Sequence, residues 1–301
     1  MAAEASRVAF LALALILARA GEGSPRSPGL GDLDPARVPW TRLRFEARKF
    51  FLKATTEVRF ATGRRRDLEG RLIASPRGTA LQPAGPWISL LELDSSFAGR
   101  RSESAVWFDP GEVFALQRRG RRHGKKAYQK TYRFTRDGVF SHRRAPLSSA
   151  ESRRPPMEWG KVEETFYPYP GEGSGCPAVI EPAMLFYLVA TTPALRQPLS
   201  LCAFSHRVLS RVELRPTGTV PLEVDYVEIS GSGRTHRKGE IEALRIAVGP
   251  RPFRQDEEDF EFLGLKGDVE LFLAGGVPVE VGGRIPHFGR VKVRLVEVEL
   301  R

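Results

Sequence analysis

The chain holds only two cysteines and five histidines in 301 residues. Its longest unbroken apolar stretch, Val8 to Ala18, is about half the roughly 20 residues that a bilayer-spanning helix needs. The later apolar segment Pro182 to Val189 is shorter still. A membrane-spanning helix is therefore excluded. The histidines (His123, His142, His206, His236, His287) are scattered, and no pair has ligand spacing. Neither Cys176 nor Cys202 falls in a Cys-x-x-Cys or Cys/His cluster, so the pattern implies no metal site and no cofactor.

Nucleophilic catalysis finds no motif either. Ser230 and Ser232 in ISGSGRTH lack the Gly-x-Ser-x-Gly elbow, because the residue two before Ser232 is Ser230. That segment reads as a polar hairpin turn. The acidic run Asp256, Glu257, Glu258, Asp259 lacks the alternation of a calcium loop and reads as a solvated turn before Phe260. Catalytic carboxylates cannot be picked from a sheet-rich sequence alone. No catalytic residue is assigned.

The start of the chain is more informative. Arg7 and the free amine precede the apolar stretch, and Ala18-Arg19-Ala20 places small residues where a signal peptidase reads. Residues 1–20 are expected to be a secretory signal peptide cleaved after Ala20, followed by no cysteine that a bacterial lipoprotein would acylate. The mature chain is then periplasmic or secreted. Two cysteines in such a compartment permit one disulfide, Cys176 to Cys202; the alternative is two buried thiols. A loop of that length stabilises by about 3 kcal/mol in the chain-entropy model.

Charge is the other strong signal. The chain carries +11, and removing residues 1–20, with Arg7, Arg19 and Glu4, leaves +10. Such a charge attracts polyanions. Outside the cytosol these are anionic lipid, lipopolysaccharide or acidic glycan; the alternative is a solvated basic surface without a specific partner. The sharpest basic run is Gln117 to Lys130, QRRGRRHGKKAYQK. Arg118, Arg119, Arg121, Arg122, Lys125 and Lys126 are the candidate anionic-surface contacts, expected on a hairpin loop, where each contributes about 1 kcal/mol near a negative membrane. The bland reading is a solvated turn. Nucleic acid ranks third, since that compartment rarely offers it and no aromatic stacking platform is interleaved.

Residues 21–39 read as a flexible leader, rich in Gly, Pro and charge. Residues 40–301 read as a single β-rich domain. Leu43, Phe45 and Ala47 alternate with Arg42, Arg44 and Glu46, a period of two that signals a half-buried strand. Phe50-Phe51-Leu52 breaks the pattern. Short strands are expected over 88–93, 105–108, 113–117, 128–134 and 139–142, then over 199–214, 220–229, 241–248, 260–265, 269–273, 277–281 and 291–300. Residues 145–175 read as a long Pro/Gly-rich connection. One helix is expected over 182–192, opened by Pro182 and stopped by Pro193. Its Met184, Leu185, Phe186 and Leu188 are candidate linings of an apolar pocket, or ordinary core. Alternation changes phase at Tyr226/Val227 and at Leu295/Val296, which predicts two β-bulges and a curved sheet.

The C-terminal half resembles an exported bacterial family called domain of unknown function 3108. A helix like EPAMLFYLVATTPAL precedes paired strands and a stretch like DFEFLGLKGDVELFLAGGVPVEVGGRIPHFGRVKVRLVEV. The match covers roughly residues 178–300, and Leu43-Arg44-Phe45-Glu46 is similar too. The basic run and the 145–175 connection depart from it. The resemblance implies a curved antiparallel sheet partly closed around a helix, in the cell envelope, and carries no catalytic residues to transfer. The resulting expectation is a mostly β protein: a curved antiparallel sheet or partly open β-barrel with one buried helix. Its function would be non-enzymatic binding of a hydrophobic or anionic envelope ligand. The alternatives are an envelope hydrolase acting on glycan or lipid, and a scaffold partner in an envelope complex.

Overall fold

The computed structural model describes residues 33–49, 52–124, 126–170, 176, 178–192, 197–251, 260–285 and 288–301. The expected signal peptide, Lys125 and the acidic run Asp256–Asp259 lie outside the described residues.

The N-terminal half is a meander of antiparallel strands: β1 (Trp40–Lys49), β2 (Leu52–Arg64), β3 (Trp87–Phe97), β4 (Arg100–Asp109), β5 (Phe114–Arg122), β6 (Tyr128–Phe134), β7 (Gly138–Ala145) and β8 (Lys161–Pro168). A short helix, α1 (Arg65–Leu68), follows β2. The C-terminal half has β9 (Val179–Ile180), helix α2 (Leu185–Thr191), β10 (Leu199–Ser205), β11 (Val208–Ser230), β12 (Gly233–Arg251), β13 (Glu261–Phe262), β14 (Leu265–Ala274), β15 (Val277–Ile285) and β16 (Gly289–Leu300). All join one sheet in the order 8-7-6-5-4-3-2-1-16-15-14-12-11-10-9, with β13 paired to β14. First and last strands meet at its middle, since β1 pairs with β16.

The protein is therefore mostly β, with a curved, largely antiparallel sheet. Part of it closes: β11 pairs with β12, β12 with β14, β14 with β15, β15 with β16, and Val227–Ile229 of β11 return to pair with β16. The very long β11–β12 hairpin makes this ring, because only its far end reaches back to β16. The opposite arm curls over as well. Phe204 of β10 sits 5.6 Å from Tyr132, 6.0 Å from Phe134 and 5.8 Å from Tyr167, ring to ring.

The helix fills the concave side. A single 3-10 turn, Pro182–Met184, leads into α2, and all seven α2 residues are buried. Phe186 lies against Trp40, Phe45 and Phe262, and Tyr187 against Phe60 and Phe108. Burying each such ring contributes about 2 kcal/mol. The Tyr187 hydroxyl donates to the Pro110 carbonyl at 3.0 Å, so the helix keeps no unsatisfied phenol. A second, smaller core of Ile88, Leu90, Ala105, Trp107 and Leu116 covers the outer face of β3–β5.

Several details differ from the sequence pattern. Packing begins before Trp40: Leu33 and Val38 join the main core, and Pro35–Arg37 form a 3-10 turn. The segment 145–175 is not all connection, because β8 lies within it. Its residues are mostly exposed on an edge, where period-two burial is weakest. The 199–214 run is split by a turn at His206–Arg207 into β10 and β11. The bulge at Val296 is present, as Arg44 pairs with Glu297 and Phe45 with Leu295. The bulge in β11 falls at Thr217 instead, and pairing through Tyr226 and Val227 is continuous. There residues 226–230 are half-buried on both faces, so the change of phase marks no extra residue.

Candidate functional site

The basic run is strand for the most part, not loop. β5 extends through Arg122, which leaves only residues 123–127 to connect to β6. In a strand successive side chains point to opposite faces, so the six expected contacts do not act together. Arg119 stacks over Trp107 at 5.3 Å on the outer face, and Arg121 over Trp159 at 5.8 Å. Lys126 is exposed in the turn. Arg118 and Arg122 stand on the concave side, at the wall of a cleft of about 1020 Å³, and Arg121 also borders it.

That cleft lies beside the helix-filled core and opens between the two arms of the sheet. It is lined by eight arginine or lysine side chains and four glutamates. β6 contributes Tyr128, Lys130 and Tyr132, β7 contributes Arg143, and the β10–β11 turn contributes His206 and Arg207. Register sets the wall. Gly120, Lys130, Arg143 and Glu163 stand opposite one another in turn across β5 to β8. Arg118 is opposite Tyr132, one step along. Tyr128, within the basic run, and Tyr132, just past it, put aromatic rings on the same wall. Lys130 lies 4.4 Å from the Tyr132 ring centre, and Arg143 lies 5.4 Å from that of Tyr128.

The four glutamates are engaged. Glu103 meets Arg101 at 3.1 Å and His123 at 3.2 Å. Glu163 meets Arg143 at 2.7 Å and Lys161 at 3.0 Å. Glu261 meets His206 at 2.7 Å. Burial works upward on Glu261, yet the His206 hydrogen bond and charge, with Lys266 and Arg118, hold its carboxyl below the ordinary value. Glu181 is buried, meets Arg118 at 3.2 Å and accepts from the Ala183 N–H at 2.7 Å. Burial pushes its carboxyl upward, and these partners only partly offset that. Lys130 is brought down to about 8 by burial and by the nearby charges of Arg207, Arg118 and Arg143, against a smaller opposing effect of Glu163.

The other candidates have different places. A disulfide joins Cys176 to Cys202 of β10, with Cα atoms 5.7 Å apart. Met184, Leu185, Phe186 and Leu188 are all fully buried in the main core, away from the cleft wall. Of the helical segment only Pro182 and Ala183 reach the cleft. Among the described residues no three His, Cys, Asp or Glu side chains converge as a metal site requires, and no helix is long and apolar enough to cross a membrane. Lys130, Arg143 and Arg207 are cleft residues that the basic run does not single out. Lys130 closes that run, but nothing local brings it next to Arg207, 77 positions along the chain.

No protein-family model, no curated protein and no solved structure matches the chain.

Proposed function

We propose that this chain is an exported, non-catalytic binding protein of the cell envelope, and that its cleft takes an anionic ligand. The observation that carries the reading is the gathering of cations from β5, β6, β7 and the β10–β11 turn onto one concave wall, alongside tyrosine rings. A cleft in which one sign of charge outweighs the other concentrates ligands of the opposite sign, and here eight cations outnumber four glutamates. Its glutamates are held in ion pairs, which argues for binding over acid–base chemistry there. Export is supported by the signal-like residues 1–20 and agrees with the disulfide. The resemblance of residues 178–300 to domain of unknown function 3108 points to the same compartment. The core rings packed around Phe186 favour the anionic ligand over an apolar one seated on α2.

The test is cosedimentation of mature protein with anionic and with zwitterionic vesicles at low salt. Binding to the anionic vesicles is expected, and R122E/K130E is expected to abolish it. Binding unchanged in that variant would place the contact elsewhere and end the cleft reading. N-terminal sequencing of protein from a periplasmic extract checks the expected start at Gly21.

A further inference from the structure

The cleft contains one arrangement that folding alone does not favour. Lys130 and Arg143 are direct cross-strand partners on β6 and β7, and like charges so placed destabilise a sheet. Arg118 and Arg207 add their charge to the same spot. Two of these four cations have carboxylate partners: Arg143 with Glu163, and Arg118 with Glu181. Lys130 and Arg207 have none among the described residues, although Lys130 rests on the Tyr132 ring.

The route by which Arg207 arrives there points the same way. His206 and Arg207 occupy a two-residue hairpin turn with φ of 47° and 79°. Such turns favour Asn-Gly or a similar pair, because an L side chain is strained at positive φ. The Ala98–Gly99 and Leu263–Gly264 turns of this chain follow that rule, with glycine at the second position and φ of 72° and 80°. The β10–β11 turn holds an arginine at the equivalent place. A strained residue that also carries an uncompensated charge into a cleft marks a functional position. Gly120, next to Lys130 in the cross-strand row, leaves space: an added Cβ would meet nothing nearer than the Glu103 carbonyl at 3.9 Å.

We propose that Lys130 and Arg207, flanked by Arg118 and Arg143, form a binding site for a phosphomonoester dianion. The inference rests on the anionic-cleft reading above and narrows it. Two cations without carboxylate partners match a group of charge near −2. A carboxylate, a sulfate monoester or a phosphodiester carries only one charge and leaves one cation uncompensated. Arginine forks and lysine ammonium groups are the usual donors to phosphate oxygens. Ile285, Phe288 and Val291, which also line the cleft, would meet an apolar body attached to the phosphate. The monoester can come from a lipid headgroup or from a small soluble phosphate.

The experiment uses mature protein with three probes: phosphatidylcholine vesicles containing phosphatidic acid, the same vesicles with phosphatidylglycerol at matched charge, and free glycerol phosphate. Preference for phosphatidic acid by at least tenfold is expected. Competition by glycerol phosphate would identify the soluble source, and binding to vesicles alone the lipid. K130M and the turn variant R207G should each lose that preference. Both should also melt at a higher temperature than the parent, since one removes charge repulsion and the other backbone strain. R237A, on the distant β12, should bind as the parent does. Equal binding of both anionic vesicles, still lost in R122E/K130E, would overturn the dianion site while leaving the anionic cleft standing. No binding to either vesicle or to glycerol phosphate would overturn both. Loss of preference accompanied by a lower melting temperature in both variants would reduce the turn and Lys130 to structural parts, and would also overturn the proposal.

Discussion

Arg118 of β5 reaches across the opening of the sheet to Glu181, and their side chains meet at 3.2 Å. One partner is buried and the other half-buried. The pair ties the edge at β9 to the middle of the opposite arm, and Glu181 also caps the turn that leads into α2. It joins the cleft wall to the buried helix.

Removing Arg118 should expose that dependence as a pH effect. Burial already raises the Glu181 carboxyl above its unfolded value. A group raised in the folded state binds its proton more readily there, so its contribution to stability is present at acid pH and declines as pH rises through the folded value. Without Arg118 the carboxylate is buried and unpaired. R118M is expected to lose about 3 kcal/mol at pH 8, and to recover most of it below about pH 5. R118M/E181Q should be stable at both. Urea denaturation at the two pH values checks this, and an equal loss at both would contradict it.

The disulfide should matter as much as any core side chain. Cys202 is 3% exposed in the main core, and Cys176 packs against that core. The bond closes a span of 26 residues that contains β9 and α2. Reduction, or C176S/C202S, is expected to cost about 3 kcal/mol and to bring protease cuts into residues 170–180. Thermal melts with and without reductant measure the loss. Coincident melts would show that the bond adds nothing.

Arg133 is a buried cation whose described partners are carbonyls. At 2% exposure it donates to Ile73, Leu81 and Leu116. Burial lowers it to about 10, so it remains charged at neutral pH. Those bonds pin residues 71–84 over the second core, helped by Gln117, which bonds Arg71 and Ile73. R133M leaves several carbonyls without donors and should destabilise by roughly 3 kcal/mol. Proteolysis should then begin in 71–84. Cleavage starting elsewhere would show that this strap is held by its apolar contacts.

Much of the architecture was legible locally. Alternation at Leu43, Phe45 and Ala47 places those side chains on the core face of β1, where they pack. The phase change at Leu295/Val296 marks a real bulge, because an extra residue leaves its trace in the pattern itself. Pro182 and the apolar residues after it mark the one substantial helix. The signal at Tyr226/Val227 misleads for a physical reason: residues 226–230 are half-buried on both faces, and apolar side chains can then take either parity without an extra residue. β8 leaves no mark in the pattern, because an exposed edge strand has little periodicity to show.

By itself the sequence determined the strand content, the buried helix, the net positive charge and the chance of one disulfide. Each is set by residue type and short-range spacing. Only the tertiary structure decided what the charges do. It split one basic run between two faces, sending Arg119 onto Trp107 and Arg118 into the cleft. It set Lys130 opposite Arg143, and carried Arg207 across from a turn in the other arm. The physical reason is range. A period of two fixes which face a side chain takes, while strand pairing and sheet closure fix what stands across from it.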